Sequence, residues 1–117
     1  MRVSHVILRV RDLDASVAFY RDLVGLELIS ESPGFVFFDG GSIQIALNAK
    51  PDEPTDETSS EMVLEVDDVY STTKEMDGRG IEFAVPLRPV TTAGDSTLHA
   101  THFRDPDGHF WSVTGWV

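Results

Sequence analysis

Two periodicities alternate along the chain. Residues 3–10 are apolar and β-branched, and residues 62–66 repeat that pattern, so both segments predict strands. Each strand runs into an aspartate, Asp12 or Asp68, of the kind that caps a helix. Beyond Asp12, Leu13, Val17, Tyr20 and Val24 recur at i, i+4, i+7 and i+11, which is one buried helical stripe. Beyond Asp68 the stripe is weaker: Val69, Thr73 and Met76. Both helices are predicted to stop near a glycine, Gly25 or Gly78/Gly80, where a left-handed cap is easy. Further strands are predicted at 26–31, 35–38 and 42–48, then at 81–85, 98–104 and 110–114. The predicted order is βαβββ, twice.

The repetition extends to individual residues. An offset of 56 places His5 on Glu61, Leu8 on Leu64, Val10 on Val66 and Asp12 on Asp68. An offset of 68 places Asp39-Gly40 on Asp107-Gly108 and Gln44 on Ser112. Two copies of one supersecondary unit explain such offsets, and units of this size need a shared core. The chain therefore reads as a single domain over 1–117, with a first module over about 1–48, a linker over about 49–60 and a second module over about 61–117. The linker carries Pro51, Pro54 and several acids without apolar periodicity. Residues 86–97, with Pro89 and Gly94, read as a second long irregular stretch, the kind of loop that often lines a site. Asp105-Pro106-Asp107-Gly108 reads as a tight turn between strands.

Composition narrows the function classes. The absence of cysteine removes disulfide scaffolds, thiolate zinc sites and thiol catalysis. Nine basic against twenty acidic residues give a net charge of −11, which repels phosphate backbones and anionic lipid. Nucleic acid and membrane are therefore not expected as partners. No apolar run reaches the ~18 residues of a membrane span, and the first residues lack a signal-peptide core, so a cytoplasmic location is expected.

Several segments together resemble the vicinal oxygen chelate superfamily of glyoxalase I, extradiol dioxygenases and bleomycin and fosfomycin resistance proteins. They are Ser4-His5 through Val10 with Asp12-Leu13-Asp14, then Phe19-Tyr20 through Gly25-Leu26, Leu64 through Val69, and Phe103 through Gly108. The resemblance spans essentially the whole chain. It implies an α+β fold of two βαβββ modules forming a cup-shaped mixed sheet, with helices on the outer face. It also implies a small-molecule ligand and a homodimer.

In that family the metal-binding members take ligands from the first and fourth strands of each module. Carried over singly, those positions hold His5, Gln44, Glu61, where the family usually has His, and Ser112, where it usually has Glu. Strand alternation puts each of the four on the more polar face of its strand. His5, Gln44 and Glu61 are possible ligands of a divalent ion, but an amide is a feeble donor and a serine hydroxyl a worse one. The expectation is therefore a protein without a cofactor that sequesters a small molecule. The alternative is a metal-dependent lyase, isomerase or dioxygenase using His5, Gln44 and Glu61. A hydrogen-bonded His5–Glu61 pair is expected in the metal-free case, with its imidazole pKa raised. His99 and His102 alternate across one strand, so at most one joins the polar face, and His102 is taken as a ligand-binding candidate. Phe110 is a second, as a stacking surface. His109, beside the turn, reads as a solvated loop residue.

Overall fold

A computed structural model describes residues 5–51 and 61–117. These form two compact units, 5–51 and 61–117, each with its own four-stranded sheet. The expected strand start at 3 and most of the expected linker lie outside the described residues.

In the first unit, β1 (His5–Val10) leads into α1 (Leu13–Ala18), which continues as a π-helical stretch over Phe19–Val24. Asp12 caps the helix as its sequence position predicts, its carboxylate accepting from the Ala15 N–H at 3.1 Å. The Tyr20 carbonyl accepts from both Gly25 and Leu26, and Gly25 closes the helix at φ 92°. Val17, Tyr20 and Val24 of the predicted stripe are buried. β2 (Leu28–Ser32), β3 (Phe35–Asp39) and β4 (Gln44–Ala49) follow, and the sheet order is β1-β4-β3-β2 with β1 parallel to β4. The back face, with Leu8, Val10, Val36, Phe38, Ile45 and Leu47, is buried as alternation predicts.

The second unit repeats the order: β5 (Glu61–Glu65), α2 (Val69–Arg79), β6 (Arg88–Ala93), β7 (Ser96–Arg104) and β8 (Phe110–Trp116). Its sheet order is β5-β8-β7-β6, with β5 parallel to β8. Asp68 caps α2 through the Ser71 N–H at 3.1 Å, and Gly80 ends it at φ 111°. Each unit is thus a βαβββ module, and the α+β class holds.

Two expectations in the second unit are corrected. Residues 81–85 form no strand; this segment lies along β7 through single bonds, Ala84 N–H to the His102 carbonyl and Thr101 Oγ1–H to the Val85 carbonyl. The missing strand is instead β6, inside the stretch read as a loop, and 86–97 becomes mostly a hairpin. β6 is an edge strand, where Pro89 removes no needed ladder bond, and a bulge between Pro89 and Thr91 absorbs it.

The α2 helix approaches β8 closely at Gly115. A Cβ there would stand 2.7 Å from Val69 Cβ and 3.0 Å from the Val66 carbonyl oxygen. Gly115→Ala is expected to lose about 1–3 kcal/mol through overpacking. Urea denaturation checks this, and unchanged stability would mean that α2 shifts freely on the sheet.

Candidate functional site

The candidate residues fall into two groups, one on the polar face of each sheet. In the first unit His5 and Gln44 are direct register partners on the parallel strands β1 and β4. Asp39 of β3 is the register partner of Gln44 on its other side. The His5 ring meets Phe37 edge-on at 5.7 Å. His5, Asp39, Ser42 and Gln44 line an open cleft of about 430 Å³, with Ile29 and Ile43 as its apolar wall. Asp39 Oδ1 accepts the Gly41 N–H at 2.8 Å, so one carboxylate oxygen shapes the turn before β4.

The second unit holds the more elaborate arrangement. Glu61, Ser112, His102 and Arg88 sit one per strand in the order β5, β8, β7, β6, forming a row across the whole sheet. His102 Nδ1 lies 2.7 Å from Ser112 Oγ, and Ser112 Oγ donates to Glu61 Oε1. Arg88 Nη2 lies 3.0 Å from His102 Nε2.

These contacts fix the tautomer. A guanidinium only donates, so Nε2 of His102 must accept. The proton of the neutral ring then sits on Nδ1 and is donated to Ser112, whose own hydroxyl proton goes to Glu61. Ser112 is 2 % exposed, and the row satisfies it completely. Phe110 stacks on the imidazole, ring centroids 5.0 Å apart, and Arg104 covers Phe110 at 5.0 Å.

Burial, first, and the neighbouring Arg88 charge, second, hold the His102 pKa below its ordinary 6.5; Glu61, 3.8 Å away, opposes them without prevailing. The unfolded chain then binds a proton at this residue more readily than the folded one. The resulting stability is present above pH 6.5 and is lost as pH falls below that value. The urea midpoint is expected to fall between pH 7.5 and 5.5 by less in His102→Gln than in the parent. An identical fall in both would contradict the assignment.

Of the sequence candidates, Glu61, Ser112, His102 and Phe110 come together in the second unit, and His5 and Gln44 in the first. Glu61 takes its hydrogen bond from Ser112, and the imidazole near it in its own unit is that of His102. The duplication is not exact. The offsets place Glu61 opposite Ser112, yet Ser112 is the register partner of Val63, and Glu61 that of Phe110. A slip of two residues keeps every side chain on its face, so Glu61 still reaches Ser112 diagonally. His99 lies on the opposite face, its ring 5.6 Å from that of Tyr70 of α2.

Two residues escaped the sequence reading. Arg88 was hidden in the segment taken for a loop. His109 is not a solvated loop residue: its side chain is 12 % exposed, and Nδ1 bonds Asp105 Oδ2 at 2.7 Å. The signal was an Asp and a His four residues apart across a tight turn.

The donor chemistry of the second unit suits a metal ion poorly. Both His102 nitrogens and the Ser112 hydroxyl are already engaged, and the Arg88 guanidinium beside the imidazole repels a cation. His5 and Gln44 offer one good and one weak donor in the first unit. Among the described residues no helix is long and apolar enough to cross a membrane.

Known proteins are similar to this chain in sequence and in fold. A lactoylglutathione lyase of Haemophilus influenzae is 33% identical over 93% of this chain and 88% of its own length. A metallothiol transferase FosB of Lysinibacillus sphaericus is 24% identical over 92% of this chain and 77% of its own. The crystal structure of a glyoxalase/bleomycin resistance protein/dioxygenase from Nocardioides superposes with a TM-score of 0.81 at 25% identity, covering 100% of this chain and 84% of that one. A family model matches residues 2–113, and the chain belongs to the glyoxalase/bleomycin resistance protein/dioxygenase superfamily.

Proposed function

We propose that the protein binds a small molecule on the polar sheet faces without a resident metal, and that it acts by sequestration. The observation that carries this reading is the closed row of the second unit. Ser112, where the family usually has Glu, joins Glu61 to His102 in a network that is complete without an ion. The row holds the Arg88 guanidinium in place with N–H donors to spare, and those donors are what it offers to a polar group of a ligand. His5 and Gln44, with the cleft beside them, offer a second polar patch for the same ligand class.

The relatives support a second reading, a metal-dependent lyase, isomerase or dioxygenase using His5, Gln44 and Glu61. Its specific support is the full-length similarity to a protein named lactoylglutathione lyase, together with the adjacency of His5 and Gln44.

A thermal-shift screen of cationic, neutral and anionic small molecules, run with and without EDTA, separates the two. Sequestration without metal predicts hits whose shifts are unchanged by the chelator. Hits that vanish in EDTA and return with added metal would favour the second reading.

A further inference from the structure

The guanidinium at the β6 end of the row has an unusual set of partners. Arg88 is half-buried. Its Nη1 donates to the Ala100 carbonyl at 2.9 Å and its Nη2 to His102 Nε2 at 3.0 Å. Both acceptors are neutral. Among the described residues no Asp or Glu forms an ion pair with it, although the chain carries twenty acidic residues.

The two hydrogen bonds use two of the five N–H donors of a guanidinium and hold its plane in place. The remaining donors keep the forked geometry that matches a carboxylate or phosphoryl group. Glu61 stands at the opposite edge of the sheet. The His102 ring lies between the two charged groups, with Glu61 Oε1 3.8 Å from its Nδ1 and Arg88 Nη2 3.0 Å from its Nε2. Glu61 therefore faces Arg88 across the neutral ring without pairing with it, and its own hydrogen bond comes from Ser112. Ser112 and His102, both uncharged, occupy the strands between.

We propose that Arg88 anchors an oxyanion of the ligand, a carboxylate or a phosphoryl group, at the β6 edge of the second sheet. This rests on the reading that the protein binds a small molecule on its polar sheet faces, and it narrows the ligand to an anionic one. The overall acidity of the chain, taken alone, favours a cation. The local site reverses that, because among the described residues the guanidinium that bonds the row directly, Arg88, has no acidic ion-pair partner. His102 orients Arg88: its Nε2 lone pair accepts from the guanidinium only while the ring is neutral.

The test is NMR of the full chain in EDTA at pH 7.5, following the Arg88 side-chain N–H and the His102 ring nitrogens. Sodium phosphate and sodium acetate are titrated in separate arms at constant ionic strength. Saturable shifts of both residues at millimolar anion are expected, and the anion that saturates first identifies the oxyanion class. In Arg88→Gln the His102 response should fall at least tenfold in affinity. Arg104→Gln, which removes a neighbouring exposed charge, should keep it. Arg88→Lys, which retains the charge without the fork, should fall in between. Shifts that fail to saturate, or that persist in Arg88→Gln, would overturn the proposal. Metal-free binding of a neutral or cationic molecule alongside an unresponsive Arg88 would defeat this inference and leave the sequestration reading standing. Stoichiometric metal binding would defeat that reading instead.

Discussion

Trp111→Ala is expected to cost about 3–5 kcal/mol, the range for deleting a large buried aromatic. Trp111 is 1 % exposed on the back face of β8 and is among the largest fully buried side chains. Its ring lies parallel to Phe103 within 8°, centroids 6.1 Å apart, and Phe103 in turn meets Phe83 edge-on at 6.2 Å. Its register partners are Met62 on β5 and Phe103 on β7, so the void would open between the strands that carry Glu61 and His102. Ser112 follows Trp111 directly and points to the other face. The same loss should therefore loosen the row as well as lower the stability. Urea denaturation at pH 7.5 measures the stability, and the His102 ring resonances report the row. Trp111→Phe, which keeps a stacked ring, should lose less. A loss under about 1 kcal/mol for the alanine variant would mean that the second unit does not pack around this residue.

The second large effect belongs to the turn between β7 and β8. The Asp105 side chain is fully buried and accepts three hydrogen bonds: from the backbone N–H of Asp107 at 3.0 Å, that of His109 at 2.8 Å, and His109 Nδ1 at 2.7 Å. Asp105→Ala would leave all three donors without their acceptor, and removing one partner of a buried pair costs about 3–5 kcal/mol. Asp105→Asn should cost far less. Its amide oxygen can still serve the two backbone donors, and its NH₂ can donate to His109 if that ring moves its proton to Nε2. The turn also sets the β7–β8 register, in which His102 is the partner of Ser112. Denaturant titration of both variants is the check. Equal losses for Ala and Asn would show that the carboxylate charge, rather than its acceptor geometry, holds the turn.

Much of the fold is legible in the sequence because its signals are local or strictly periodic. Asp12 and Asp68 cap their helices by reach of one side chain to an N–H three residues on, and Gly25 and Gly80 end them at positive φ. Period-two alternation sorts His5, Gln44, Glu61 and Ser112 from Leu8, Ile45, Leu64 and Val113 before any pairing is known. β6 is less legible. It is an exposed edge with one half-buried residue followed by five exposed ones, so no apolar alternation marks it, and Pro89 argues against a strand. Residues 81–85 mislead in the opposite sense. Ile81 is buried and apolar, yet the segment bonds to β7 only at isolated points.

The site divides along the same line. Parity puts His99 and His102 on opposite faces, so at most one can join the polar face, and the register with Ser112 makes it His102. Which groups then touch depends on register, and the two-residue slip of β5 against β8 relative to β1 against β4 has no local sequence signal. Arg88 could be found only once β6 was known to flank β7. The Asp105–His109 pair is a turn-level contact. A reading of the tetrapeptide Asp105-Pro106-Asp107-Gly108 by itself stops one residue short of it.

Metal content tests the central claim most directly. The protein is stripped with EDTA and dialysed in turn against Zn²⁺, Ni²⁺, Mn²⁺ and Fe²⁺. Bound metal per chain is then quantified for the parent and for His5→Ala. Sequestration without a resident ion predicts substoichiometric metal, equal in the two proteins, for every ion. Near-stoichiometric binding in the parent that is lost in His5→Ala would contradict it and turn the search to metal-dependent chemistry at His5, Gln44 and Glu61.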